Sequence, residues 1–195
     1  MQAARGTSLT SSDQASPGTS PTLPRRRYLL LFAGIAATAY AVDLVSKVLA
    51  VRHLTDRPSV EVVGEWFTLS LARNPGAAFS TGTSYTVVLS FIAMAAAVTV
   101  VWVSRRLAST GWSIGLGFLL AGVLGNLTDR LFRAPGFLRG HVVDFLMFPN
   151  FPVFNVADVC INIAAGVIIL QALRGVRVDG TRHDEAADSG DATRP

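Results

Sequence analysis

The chain has 195 residues, half of them hydrophobic and only 15% charged, with a formal net charge of +4. Soluble domains carry about 25% charged residues; here the apolar residues gather into four long blocks, which excludes a soluble domain and predicts an integral membrane protein. The single cysteine, Cys160, excludes an internal disulfide and a multi-cysteine zinc site. The arginines cluster at block ends rather than among aromatics, which sets nucleic acid aside as a partner.

Residues 1–24 are rich in Ser, Thr, Pro and Gly and have too little apolar surface to offset ordering entropy; with Arg25, Arg26 and Arg27 they predict a disordered tail over 1–27. An apolar run follows over 28–51. It is longer than a signal-peptide core, and it reads as a first span despite "ATA" at 37–39. Further spans are predicted over 85–103, 112–131 and 153–173, each with the roughly 20 residues that cross a hydrocarbon core. Each must be helical, because lipid offers backbone groups no partner. The polar stretch 174–195 predicts a second disordered tail. The fold class expected is all-α, with four transmembrane helices and a small β element in the first extracytoplasmic loop. In that loop, Phe67, Leu69 and Leu71 alternate with Thr68 and Ser70 as in a strand, with residues 60–63 as its partner and Gly64 at the turn.

Orientation follows from arginine. The clusters at 25–27, at Arg105 and Arg106, and at Arg174 and Arg177 fall on one side of an even number of spans, which the positive-inside rule makes cytoplasmic. Both termini are then cytoplasmic, and the loops at 52–84 and 132–152 face outward.

Ionisable residues within spans are functional candidates. Asp43 and Lys47 share a face of the first span, where the structural reading is an ion pair with Lys47 snorkelling to the interface. Gly122, Asn126, Asp129 and Arg130 share a face of the third. Asn155, Asp158 and Asn162 form a stripe on the fourth. All three groups lie toward the outer helix ends. A plain loop aspartate is the simple reading of Asp144 alone, and a first-turn helix carboxylate that of Asp158 alone. "FPNFP" at 148–152 forbids a helix between them and can fold the chain back so that the two meet. Two adjacent carboxylates share a proton; one can activate water while the other protonates a carbonyl oxygen or leaving amine. That chemistry, aspartic peptide hydrolysis, uses no metal and no cofactor. His141 and Asp144 alone make no metal site, Cys160 lies off the polar stripe, and no GxSxG occurs. Gly115, Gly122 and Gly125 suit close helix packing rather than a nucleotide loop.

The motifs "DLVSK" (43–47), "RNPGAAF" (73–79), "GVLGNLTDR" (122–130), "HVVDF" (141–145) and "FNVADVCI" (154–161) resemble, in order and spacing, those of bacterial lipoprotein signal peptidase (signal peptidase II), over roughly 28–173. The resemblance implies an intramembrane aspartic endopeptidase of the bacterial cytoplasmic membrane with its active site toward the outer face. Such an enzyme removes signal peptides from diacylglyceryl-modified prolipoproteins, cutting just before the lipidated cysteine. It further implies Asp144 and Asp158 as the catalytic pair, with Asn74, Asn126, Asp129, Arg130 and Asn155 binding substrate or supporting the pair, and Asp43 and Lys47 structural. Diacylated prolipoproteins and membrane lipid are the implied partners, and a monomer suffices. Residue 121 is Ala where many relatives have a second Gly. A transporter or channel would need polar residues through the full membrane depth, and the inner halves of the spans are apolar. A non-catalytic scaffold would tolerate loss of either aspartate.

Overall fold

The computed structural model describes residues 25–76 and 83–182. Residues 1–24 of the tail expected over 1–27, residues 77–79 of the first-loop motif, and residues 183–195 lie outside the described residues.

Four helices form, α1 (Arg25–Leu54), α2 (Thr83–Ser104), α3 (Thr110–Phe132) and α4 (Val156–Leu173), and all four are long and apolar enough to cross a membrane. Their outward side chains are apolar and exposed, among them Val45, Phe91, Val98 and Ile169, as lipid contact requires. Helix α3 is the central element: it packs on α1, α2 and α4. Its glycines allow this. A Cβ on Gly115 would press on Ile168 and Val167, one on Gly117 on Ile35, and one on Gly122 would stand 2.5 Å from the Ala157 carbonyl. At the end that carries the arginine clusters, Phe32, Val100, Leu107 and Leu116 form one core cluster.

The β element is larger than expected. Strands β1 (Val60–Val63) and β2 (Phe67–Asn74) pair as an antiparallel hairpin, and Gly64 makes the turn at φ +49°, a value that favours glycine. A third strand, β3 (Val142–Met147), adds to β2 with Asp144 opposite Ala72. The second loop thus completes a sheet begun by the first, and Asp144 stands on a strand rather than in an irregular loop. The β3 run, VVDFLM, is rich in β-branched and aromatic residues that suit a pleated surface. Val143 and Phe145 bury against Ala50 and Leu54 at the end of α1.

Three expected boundaries move most. Helix α1 starts at Arg25, so Arg25, Arg26 and Arg27, expected in the tail over 1–27, form its first turn, as good helix formers do ahead of an apolar run. Helix α4 starts at Val156, not 153, because Phe154 is held in a β-bridge to Leu146: each backbone N–H donates to the other's carbonyl, at 2.9 and 2.8 Å. The "FPNFP" turn lies between these two residues, with Asn150 at φ +58°. The chain after α4 is ordered as far as residue 182, against the tail expected from 174. Val176 bridges Arg182, its carbonyl accepts from Trp112 Nε1 at 2.8 Å, and the Val178 carbonyl accepts from the Ala108 amide at 3.0 Å. Backbone pairing and a tryptophan N–H outweigh the polar composition that predicted disorder there.

Candidate active site

Helix α4 opens with a capping box. The Asn155 side-chain oxygen accepts the Asp158 amide at 3.0 Å, and Asp158 Oδ2 accepts the Asn155 amide at 3.2 Å. First-turn amides of a helix have no intrahelical acceptor, so this exchange satisfies two of them. Asp158 is therefore a first-turn carboxylate, as its position alone suggested, but its other oxygen is not idle: Oδ1 accepts from Asn126 Nδ2 at 2.9 Å.

Strand β3 delivers the second carboxylate to the same place. Asp144 is 2% exposed. Its Oδ1 accepts from Asn155 Nδ2 at 2.6 Å and its Oδ2 from Asn74 Nδ2 at 3.0 Å. Asn155, fully buried, thus contacts both aspartates. Asn74 ends β2, and its own Oδ1 accepts the Gly76 amide at 2.8 Å. Burial lifts the Asp144 carboxyl from the ordinary 3.8 to about 6; the neighbouring Asp158 charge pushes the same way, while the two asparagine amides and Lys47 push back.

The remaining sequence candidates gather around this pair. Asn126 Oδ1 accepts from Lys47 Nζ at 3.0 Å and from Asn155 Nδ2 at 3.1 Å. Lysine can only donate, so the Asn126 amide nitrogen is left to face Asp158. Lys47 does not snorkel to the interface as expected. It is 0% exposed, 2.9 Å from Asp43 and 3.0 Å from Asp129; two buried carboxylates hold it more firmly than headgroup water would. Asp129 also accepts from the Val143 amide at 3.1 Å and pairs with Arg133. Arg133 is a partner the sequence reading missed, though its i, i+4 spacing from Asp129 was a usable signal. Arg130 lies within electrostatic reach of Asp158, Asp144 and Asp129, and its buried Nε has no hydrogen-bond partner among the described residues. Asn162 is exposed and donates to the Asp158 carbonyl at 2.9 Å. Cys160 is buried on the opposite side of the stripe.

Asp144, Asp158, Asn74 and Asn162 line one open cavity of about 950 Å³. Its walls are largely apolar and include the aromatic rings of Trp66, Phe148, Phe151 and Phe154, which the sequence reading also missed. Phe148 stacks on Phe154 with ring centroids 5.7 Å apart, Phe151 meets Phe154 edge-on at 5.6 Å, and Trp66, 77% exposed, stands at the rim. An apolar cavity with a few convergent polar groups has the form of a binding site.

The family model described as signal peptidase (SPase) II matches residues 35–174. The chain belongs to the signal peptidase II family. Similar curated proteins carry the name lipoprotein signal peptidase. That of Mycolicibacterium smegmatis is 44% identical over 191 residues, covering 93% of this chain and 80% of that protein. That of Mycobacterium avium is 48% identical, covering 85% and 90%, and that of Streptomyces griseus 42% identical, covering 82% of each. A solved structure described as a bacterial membrane enzyme, determined by the in meso method at 1.9 Å resolution, superposes with a TM-score of 0.66 at 26% identity, covering 76% of this chain and 94% of that one. As a signal peptidase II, the chain is a peptidase of the aspartic class and a multi-pass membrane protein.

Proposed function

We propose that Asp144 and Asp158 are the catalytic pair of an endopeptidase that removes signal peptides from diacylglyceryl-modified prolipoproteins, cutting just before the lipidated cysteine. The observation that carries the reading is that both aspartates line one cavity, with Asn155 contacting each of them. The division of labour follows from their surroundings. Asp144, raised to about 6, holds the shared proton. Asp158 accepts from Asn126 and from the Asn155 amide, so its carboxylate is held in place beside Asp144. Asp158 takes a proton from water as that water attacks the scissile carbonyl, and Asp144 gives its proton to the carbonyl oxygen. Collapse of the tetrahedral intermediate returns a proton to the leaving amine.

Asn74, Asn126, Asp129, Arg130 and Asn155 support the pair or the substrate backbone. Arg130 sets a positive charge within electrostatic reach of both carboxylates, which suits it to support the pair. The pair lies at the helix ends opposite the arginine clusters. With the positive-inside rule this supports a site toward the outer face of the bacterial cytoplasmic membrane and both termini in the cytoplasm. There the substrate's acyl chains remain in lipid while its peptide bond reaches water. One chain holds every residue named, so a monomer suffices.

The test is turnover of a diacylated prolipoprotein by purified protein carrying Asp144→Asn or Asp158→Asn. Each should lose all measurable cleavage while remaining folded; normal cleavage by either variant would sink the pair.

A further inference from the structure

Three polar side chains converge on one atom. Lys47 Nζ lies 2.9 Å from Asp43 Oδ2 and 3.0 Å from Asp129 Oδ2, and it donates to Asn126 Oδ1 at 3.0 Å. An ammonium donates and never accepts; here it donates to Asn126 and holds the two carboxylate oxygens at ion-pair distance. Each of the three partners then reaches onward. Asp43 Oδ1 accepts the amide of Ala157 at 2.8 Å, the residue before Asp158. Asp129 Oδ2 accepts the amide of Val143 at 3.1 Å, the residue before Asp144. Asn126 donates to Asp158 itself at 2.9 Å.

We propose that Lys47 is a positioning residue for the reaction: by clamping Asp43, Asp129 and Asn126 together, it sets the separation and orientation of Asp144 and Asp158. The proposal rests on reading those two aspartates as the catalytic pair. A plain structural ion pair accounts for Lys47 and Asp43, which share a face of α1. It does not account for the two partners on α3, nor for every branch ending on a catalytic aspartate or on the residue before it. The strand-borne and helix-borne aspartates come from separate elements, and this buried lysine is the point where their supports meet.

Removing Lys47 alone leaves two buried carboxylates facing each other, which is strongly destabilising. The test therefore uses two variants of the full chain. Lys47→Arg keeps the charge but replaces a tetrahedral donor with a planar fork. Asp43→Asn combined with Lys47→Met removes one charge of each sign, leaves Asp129 paired with Arg133, and keeps a side-chain oxygen for the Ala157 amide. Folded protein is quantified by size exclusion and thermal unfolding, and kinetics on a diacylated prolipoprotein are measured across pH. The expected result is a KM within about threefold of wild type and a kcat per folded enzyme lower by on the order of 100-fold, the scale of an ångström-level misplacement. The alkaline limb of the kcat/KM profile should shift, because the two carboxylates no longer hold their distance. Wild-type kcat and an unmoved limb in the folded fraction would overturn the proposal. Failure of both variants to fold would assign Lys47 to folding alone and overturn it equally. Asp144→Asn and Asp158→Asn, measured alongside, separate the two readings. Turnover by either refutes the pair. If both are inactive while the Lys47 variants run at wild-type kcat, only the clamp is wrong.

Discussion

Asn155 Nδ2 lies 2.6 Å from Asp144 Oδ1, while the oxygen of the same side chain caps the amide of Asp158. One amide therefore starts a helix and joins a strand to it. The two tasks separate by substitution. Asn155→Ser keeps a capping oxygen but cannot reach Asp144; it should unfold within a few degrees of wild type yet lose turnover by on the order of 10-fold or more. Asn155→Ala loses the cap as well, for a further loss of about 1 kcal/mol. Thermal unfolding in detergent beside kcat distinguishes the two. Equal activity in the serine variant and wild type would remove Asn155 from the site.

Asp144 gives the enzyme a pH dependence whose sign is fixed. Its folded pKa of about 6 lies above the ordinary 3.8, so the fold favours its protonated form. The contribution to stability is present below about 4 and is lost as pH rises through about 6. For catalysis by a pair sharing one proton, kcat/KM of the free enzyme should fall as pH rises through the same value. Asp158, Lys47 and Arg130 are the charged groups acting on it. Because Asp158 raises the value, Asp158→Asn should lower the Asp144 titration point, read from its protonated-carboxyl infrared band. An Asp144 band that does not change across this range would contradict the assignment.

Helix packing predicts a contrast between glycines. A Cβ at Gly122 would stand 2.5 Å from the Ala157 carbonyl and 2.6 Å from Ile161, so Gly122→Ala must push α4 away, and Asp158 with it. A loss of about 1–3 kcal/mol and a clear drop in turnover are expected. Gly34 and Gly166 have nothing within 4 Å of such a Cβ. Alanine at either should leave activity intact and raise the melting temperature slightly, since alanine suits a helix better than glycine.

The aromatic rim should govern binding more than chemistry. Trp66→Ala and Phe151→Ala remove exposed rings from the cavity and touch neither carboxylate. Each should raise KM by on the order of 10-fold and leave kcat near wild type. A kcat loss with unchanged KM would instead place these rings in the support of the pair.

The four spans were legible because bilayer thickness and backbone hydrogen bonding leave little freedom in length or conformation. The hairpin at 60–74 was legible from its period of two and from Gly64. The polar stripes were legible too: Asn126, Asp129 and Asp158 lie on their helices as the spacing predicts, Asn155 caps α4, and Asn126, Asn155 and Asp158 meet, with Asp129 joined to them through Lys47. Strand β3 was not. Its apolar run lacks alternation, because Val142, Val143, Asp144 and Phe145 are all buried, and its partner lies some 70 residues earlier. Lys47 was misplaced for a related reason. A wheel shows the face a side chain shares but not the depth of the neighbours that receive it, and the acceptors that hold it on α3 are 79 and 82 residues away. The order of residues 174–182 depends on Trp112 and Ala108, again beyond the reach of local composition.

Helix α4 is fastened at both ends. At one, its N-cap asparagine is tied to Asp144, and Phe154 just before it is bridged to β3. At the other, Gln171 donates to Ser109 at 3.3 Å and Val176 accepts from Trp112. The outer edge of β1, by contrast, has all four residues exposed and pairs only with β2 among the described residues. The end of α4 that carries Asp158 is thus braced against β3, while the hairpin rim opposite it is held by a single neighbouring strand.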